Sequence, residues 1–321
     1  MSGFLYQRAT DPTDALAQAA MPGSAFVAGG TDLLQLWKMG VQAPTRLVDI
    51  SRLKLADIAP VDGGLMIGAL ARLSDVANHP DTDGLIADAI QASASGQIRN
   101  MATMGGNLLQ RTRCSYFRTA DLPCNKREPG SGCGAVAGEN RSAALFGTSA
   151  ACVATHPSDL AVALSARDAE LDILGPSGLR RVALGDFYRL PQDTSDRDTN
   201  LAPGELITGI FVPRTDMTGT YLKIRDRASF EFAVVSVAAC LRVENGVITQ
   251  ASLAAGGVAP MPWRFATAEA ALVGRAPTKA IFTEAAALAV EGARPLAQNG
   301  FKITLLRRAV LRALTTIGGQ A

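Results

Sequence analysis

The order of apolar and polar positions divides this chain into stretches of different character. Toward the C-terminal end, segments 266–273, 280–290 and 304–317 carry apolar residues at helical spacing, the last through recurring Leu, Val and Ile. Before them, 232–243 and 247–254 are β-prone apolar runs joined by Glu244-Asn245-Gly246. Asn-Gly between two such runs is a strong hairpin signal, because both residues tolerate the positive φ of a tight turn. These features predict a hairpin-containing sheet with helices on one side. The N-terminal end reads as a small α/β unit: a helix over 13–20, an apolar segment at 25–28, Gly29-Gly30, a helix over 33–39 and a strand over 46–50. A strand at 65–67, a helix at 85–94 and a Gly/Asn-rich stretch at 96–107 follow. Two regions break the pattern. Residues 111–150 are polar, punctuated by Gly and Pro, and without periodicity, and 185–204 form a polar loop rich in Asp and Thr. The segmentation predicts three units, 1–57, 58–213 and 214–321, in an α+β fold. A structureless stretch of about 40 residues inside a compact domain calls for a functional reason.

Composition mainly excludes. The 321 residues carry 31 basic and 29 acidic side chains, a formal net charge of +2. Such balance gives no electrostatic ground for a nucleic-acid or anionic-membrane partner. No apolar run approaches the roughly 20 residues of a membrane span. The N-terminus lacks the charged start and apolar region of a secretory signal. The expectation is a soluble chain that reaches any other compartment only by travelling folded with a partner. Five cysteines are too few for a disulfide scaffold in a chain of this length.

Two glycine loops carry candidate chemistry. Ala28-Gly29-Gly30-Thr31-Asp32-Leu33 sets a glycine pair between an apolar strand and a helix. Glycine there lets main-chain N–H groups approach a phosphate, and the following helix offers further donors. A plain tight turn is the other reading, with Thr31 or Asp32 capping the helix. The loop matches neither G-x-G-x-x-G nor the P-loop. The second stretch, from Gly96 to Leu108, combines Gln97, Arg99, Asn100, Thr103 and Asn107 with Gly105-Gly106. Together the two suit one extended ligand with a diphosphate and a polar sugar or ribityl chain. In a third turn, Thr155 is expected to cap a helix with Pro157 in its first turn, and Asp159 is a candidate acceptor for ligand hydroxyls. His156 reads as a structural histidine and His79 as solvent-facing, since neither has a metal-type companion.

Four cysteines fall in the aperiodic region, spaced Cys114-x9-Cys124-x8-Cys133-x18-Cys152. The pattern fits neither ferredoxin runs nor paired zinc knuckles. Its setting is cationic: Arg111, Arg113, Arg118, Lys126 and Arg127 stand near the first two cysteines, against Asp121 and Glu128. Cations lower the cost of holding several thiolates together. A four-thiolate metal site follows as one reading, zinc included; buried inert thiols and disulfides are the others. Cys240, within an apolar β-like run, reads as a core residue.

At these residues the chain resembles the FAD-binding medium subunits of the molybdenum hydroxylases, the xanthine dehydrogenase and aldehyde oxidoreductase family. The resemblance runs through AGGTDLL at 28–34, GQIRNMATMGGNL at 96–108, THPSDLAVAL at 155–164, PGELITGIFVP at 203–213 and KIRDRASFEFAVVSVAA at 223–239. The segment CSYFRTADLPCNKREPGSGCGA at 114–135 is similar to the subunit carrying FAD and a [4Fe-4S] cluster in bacterial periplasmic aldehyde oxidoreductases, and less so to that of hydroxybenzoyl-CoA reductase. The resemblance implies a two-lobed FAD-binding domain of the vanillyl-alcohol-oxidase type, subdomains 1–57 and 58–213. It also implies a C-terminal α+β domain, 214–321, like that of CO dehydrogenase flavoproteins. It implies FAD contacts at Ala28, Gly29, Gly30, Thr31, Asp32, Leu33, Gly96, Thr103, Gly106, Asn107, Ser158 and Asp159, with Leu206 and Lys223 near the isoalloxazine and Glu231 a weaker match. Cys114, Cys124, Cys133 and Cys152 would hold one [4Fe-4S] cluster in an insertion spanning 111–152. A small subunit with two [2Fe-2S] clusters and a large subunit with the molybdenum cofactor would be the partners. The compartment implied is the periplasm, reached by co-export, with the cytoplasm as alternative. Two other functions stay open at this point: a self-contained flavoenzyme and a non-enzymatic metal-binding module.

Overall fold

Three sheets organise the chain. The structure, a computed structural model, describes residues 3–192 and 194–319. In the first sheet, β1 (Leu5–Arg8), β2 (Ser24–Val27) and β3 (Arg46–Asp49) run parallel in the order β1-β3-β2. Parallel neighbours need crossovers, and helices Pro12–Ala19 and Leu33–Lys38 supply them. Asp11 starts the first of these, its carboxylate accepting from Asp14 N at 2.9 Å with Pro in the opening turn.

The second sheet is antiparallel. It contains β4 (Ile58–Val61), β5 (Gly64–Gly68), β6 (Glu170–Gly175), β7 (Gly178–Ala183) and β8 (Leu206–Pro213), ordered β4-β5-β8-β6-β7. Its apolar side, with Ile67, Leu171, Ile173 and Ile210, shares one core with helices Leu73–Asn78, Gly84–Ala92 and Asp159–Ala166. Leu70 and Leu206 reach into the core of the first sheet beside Ala15 and Val48, joining the two layers.

The third sheet holds β9 (Thr218–Ile224), β10 (Val235–Glu244), β11 (Val247–Gly256) and β12 (Trp263–Arg264), antiparallel in the order β12-β11-β10-β9. The expected hairpin at Asn245-Gly246 joins β10 to β11, with both residues at positive φ. Helices Ala266–Leu272, Lys279–Leu288 and Phe301–Gly318 pack with Val237, Ala239 and Leu241 in one core. The alternate residues Ala238 and Cys240 belong to the core around helix Asp159–Ala166. The unit's own helices lie on one side as expected, and a helix of the second unit covers the other. Both faces of this sheet are covered, which is why the β10 run is continuously apolar rather than alternating. Cys240 is fully buried in it, as the sequence suggests.

Other local expectations change as well. The 96–107 stretch contains two short helices, Gly96–Arg99 and Met104–Leu108, capped by the Ser95 and Thr103 side chains. Within 111–150 one helical turn, Ser115–Arg118, forms, and Cys124 pairs with Cys133 across an isolated antiparallel bridge. The 185–204 loop opens in a helical turn, Leu184–Phe187, and closes on itself where Tyr188 bridges Thr199.

Candidate functional site

The end of β2, the 102–113 segment, residues 196–201 and the 230–232 turn enclose a cavity of about 590 Å³. Gly29 and Gly30 form one wall. A Cβ on Gly29 would lie 1.9 Å from Met101 O, so the two glycine loops meet backbone to backbone and only glycine fits. Gly30 has φ +68°, where other residues are strained. Beyond it, the N–H groups of Gly30, Thr31 and Asp32 find no acceptor among the described residues, leaving adjacent donors at the cavity wall. Orphaned donors of this kind suit a phosphate.

Asp32, one of two candidate caps, begins helix Leu33–Lys38 without a side-chain capping bond. Its carboxylate turns to the cysteine-bearing segment. Arg113 (2.7 Å) and Arg118 (2.8 Å) bind Oδ1, and Arg111 N donates to Oδ2 at 2.8 Å. Segment 111–114 is neither helix nor strand. Arg111 and Arg113 line the large cavity, while Thr112 and Cys114 line a second, smaller one. Arg111 Nε lies 2.7 Å from Asp198 Oδ2 but off the N–H axis, an ion pair rather than an aligned hydrogen bond. Lys126 also binds Asp198. Burial opposes ionisation of Asp198, yet Arg111 and Lys126 hold its carboxyl below the usual range.

On the opposite side, Ser158 rather than Thr155 caps helix Asp159–Ala166, accepting from Ala161 N at 2.9 Å. Its hydroxyl donates to Asn107 Oδ1 at 2.5 Å and so orients that carboxamide. Asp159 lines the cavity but is already paired: Lys223 Nζ lies 2.8 Å from Oδ2 and Tyr221 OH donates to Oδ1 at 2.6 Å. Burial pushes its carboxyl up against the pull of Lys223. His156 is buried edge-on to Tyr188, with Nε2 toward Leu108 O and Nδ1 toward Ser158 N, and burial pushes it down to about 4. His79, expected in solvent, is half-buried beside Asp81.

The structure thus brings Ala28, Gly29, Gly30, Thr31, Asp32, Leu33, Thr103, Gly106, Asn107, Asp159 and Leu206 to one cavity, with Glu231 between Phe230 and Phe232. Three residues stand apart from the lining. Gly96 only opens its short helix, whose Ile98 reaches the wall; Ser158 sits behind Asn107, and Lys223 behind Asp159. Arg111, Arg113 and the 196–201 segment were not foreseen as lining.

Cys114, Cys124, Cys133 and Cys152 are free thiols around the smaller cavity, which also touches Tyr116, Phe117 and Lys126. A main-chain N–H points at one of the sulfurs, that of Ala154 at Cys152 Sγ (3.5 Å). Burial raises the Cys114 thiol, and that of Cys152 to about 11. Among the described residues no three Cys, His, Asp or Glu side chains converge on a single-ion position. The cysteines ring a space instead.

Comparison with known proteins bears on the large cavity. Residues 2–215 match the model of the FAD binding domain in molybdopterin dehydrogenase, and 220–317 that of the CO dehydrogenase flavoprotein C-terminal domain. The chain is 44% identical, over its whole length and that of the relative, to the aldehyde oxidoreductase FAD-binding subunit PaoB of Escherichia coli K12. It is 28% identical to the glyceraldehyde dehydrogenase medium chain of Sulfolobus acidocaldarius, over 78% of this chain and 73% of that one. Among solved structures, a chain of quinoline 2-oxidoreductase from Pseudomonas putida 86 shares the fold, with TM-score 0.78 and 20% identity over 100% of this chain and 98% of that one.

Proposed function

The chain belongs to the FAD-binding medium subunits of the molybdenum hydroxylases, and from that premise we propose that it carries FAD and a [4Fe-4S] cluster as the electron-transfer subunit of an aldehyde oxidoreductase. The supporting observation is segment 111–114, which lines the flavin cavity through Arg111 and Arg113 and the cysteine cavity through Cys114. In this reading a small subunit bears two [2Fe-2S] clusters and a large one the molybdenum cofactor. There, aldehyde and water become carboxylic acid with release of two protons and two electrons.

When bound, flavin supplies two-electron redox chemistry linked to one-electron carriers. The residues described here bind and orient it. Free N–H groups at Gly30–Asp32 would receive the diphosphate, Asn107, fixed by Ser158, would offer a polar contact, and Asp159, held by Lys223 from behind, lines the same cavity. Four thiols lining one narrow cavity suit a multi-atom cluster bonded directly to them; ligation would require them deprotonated, releasing protons as the site fills.

The test is cofactor content. Asn107→Ala and Gly30→Val are expected to lower FAD per chain. Single Cys→Ser changes at 114, 124, 133 and 152 are expected to abolish a content of about four irons per chain, while Cys240→Ser keeps it. Full FAD in both loop variants would sink the flavin assignment of these loops. Iron unaffected by replacing the four cysteines, or zinc in its place, would sink the cluster.

A further inference from the structure

Asp32 poses an electrostatic problem that the flavin reading leaves unsolved. A carboxylate lies in the loop whose free N–H groups are to meet a diphosphate, and two anions side by side repel. The side chains involved are largely shielded from water: Asp32 is 15% exposed, Arg118 10% and Lys126 6%. Screening is accordingly weak. Asp32 (−1) with Arg113 and Arg118 (+2) sums to +1. Asp198 (−1) with Arg111 and Lys126 (+2) also sums to +1. Arg111 joins the two groups, its N–H binding Asp32 and its guanidinium Asp198. Both groups are thus net positive, the sign that a diphosphate requires. All four cations come from the cysteine-bearing segment, none from the glycine loops.

We propose that segment 111–126 is an electrostatic part of the flavin site: its cations convert the Asp32 loop from anion-repelling to anion-attracting, so that flavin retention depends on this segment being ordered. Arg118 does not line the cavity and acts through Asp32 and through Thr112 O, which its Nε binds at 2.9 Å. It is a positioning residue. Because Arg113 adjoins Cys114, Arg118 lies between Cys114 and Cys124, and Lys126 follows two residues after Cys124, cluster and flavin become thermodynamically coupled, each favouring the other.

The inference rests on the flavin reading above, and one arm of its test also on the cluster. FAD is titrated onto the deflavinated full-length chain, following flavin fluorescence, with iron measured in parallel. Arg118→Gln is expected to weaken FAD about tenfold, within the usual range of coupling between sites, at unchanged iron content. Adding Asp32→Asn to it is expected to restore most of the affinity, because the uncompensated charge is gone; a purely structural role of Arg118 gives no such rescue. Lys126→Gln tests the Asp198 group independently, with a loss of similar size that persists at high salt. Cys124→Ser is expected to lose iron and weaken FAD together, again with partial rescue by Asp32→Asn. Unchanged FAD affinity in Arg118→Gln and Lys126→Gln, or a deeper loss on adding Asp32→Asn, would overturn the proposal. A wild-type chain without iron would refute the cluster alone, because the Arg118 and Lys126 arms need no metal.

Discussion

His156 occupies a place where protonation is costly. The ring is buried, its Nε2–H faces Leu108 O, its Nδ1 faces Ser158 N, and burial brings its pKa from 6.5 to about 4. Between those values the unfolded chain binds a proton that the folded chain refuses. The group's contribution is thus complete above pH 6.5 and is lost as pH falls toward 4. Urea denaturation of the full chain at pH 7 and pH 5 is expected to show a loss on the order of 2 kcal/mol from this residue. His156→Gln is expected to remove most of that difference, and an equal fall in both proteins would assign the acid sensitivity elsewhere. At this scale the sequence was legible wherever chemistry is local. Glycine pairs, clustered cysteines and a histidine without companions can each be read within a few residues. The Asp32 pairings with Arg113 and Arg118 could not, because their partners lie about 80 positions away and nothing in either segment announces the other.

Elements whose apolar faces are continuous or periodic were readable, and those at sheet edges were not. The β10–β11 hairpin carries both an apolar run and Asn245-Gly246. By contrast β1 and most of β7 are solvent-exposed, so no burial pattern marks them as strands. A turn signal, Gly175-Pro176-Ser177-Gly178, does separate β6 from β7 and would have located that hairpin. Helix Phe301–Gly318 shows how an element is tied to a loop by one side chain. Lys302 is 1% exposed, and its ammonium donates to Ser142 O at 3.3 Å, Ala143 O at 2.9 Å and Gly257 O. Burial lowers its pKa to about 8, but the three carbonyls would lose more than that burial costs if the amine were removed. Lys302→Met is expected to destabilise the chain by about 3 kcal/mol, read as a shift in the urea midpoint at unchanged slope. No shift would mean that water replaces the amine without loss.

For the molecule as a whole, the proposed function calls for partner subunits. Among the described residues there is no triad of Cys, His, Asp or Glu poised for single-metal chemistry, and no helix is long and apolar enough to cross a membrane. The purified full chain is expected to show no aldehyde oxidation with a dye acceptor, and to acquire it when produced together with its molybdenum-bearing partner. Turnover by the chain alone would refute this division of labour. The broad architecture was legible because motifs occur along the whole sequence; the packing of its third sheet was not, since contacts across the 159–166 helix have no local signature.

That helix has a consequence for modular exchange. All eight of its residues are buried, because it is wedged between the second sheet and Ala238, Cys240 and Ala254 of the third. The boundary between the two sequence-defined regions near 215–220 is therefore a seam in the chain but not in the core. Recombination between relatives at that point would transplant half of a fitted surface, so an inherited C-terminal half must bring residues shaped to a helix encoded some 60 positions upstream. Shuffling of this subunit is constrained to pairs whose steric volumes already agree across that seam.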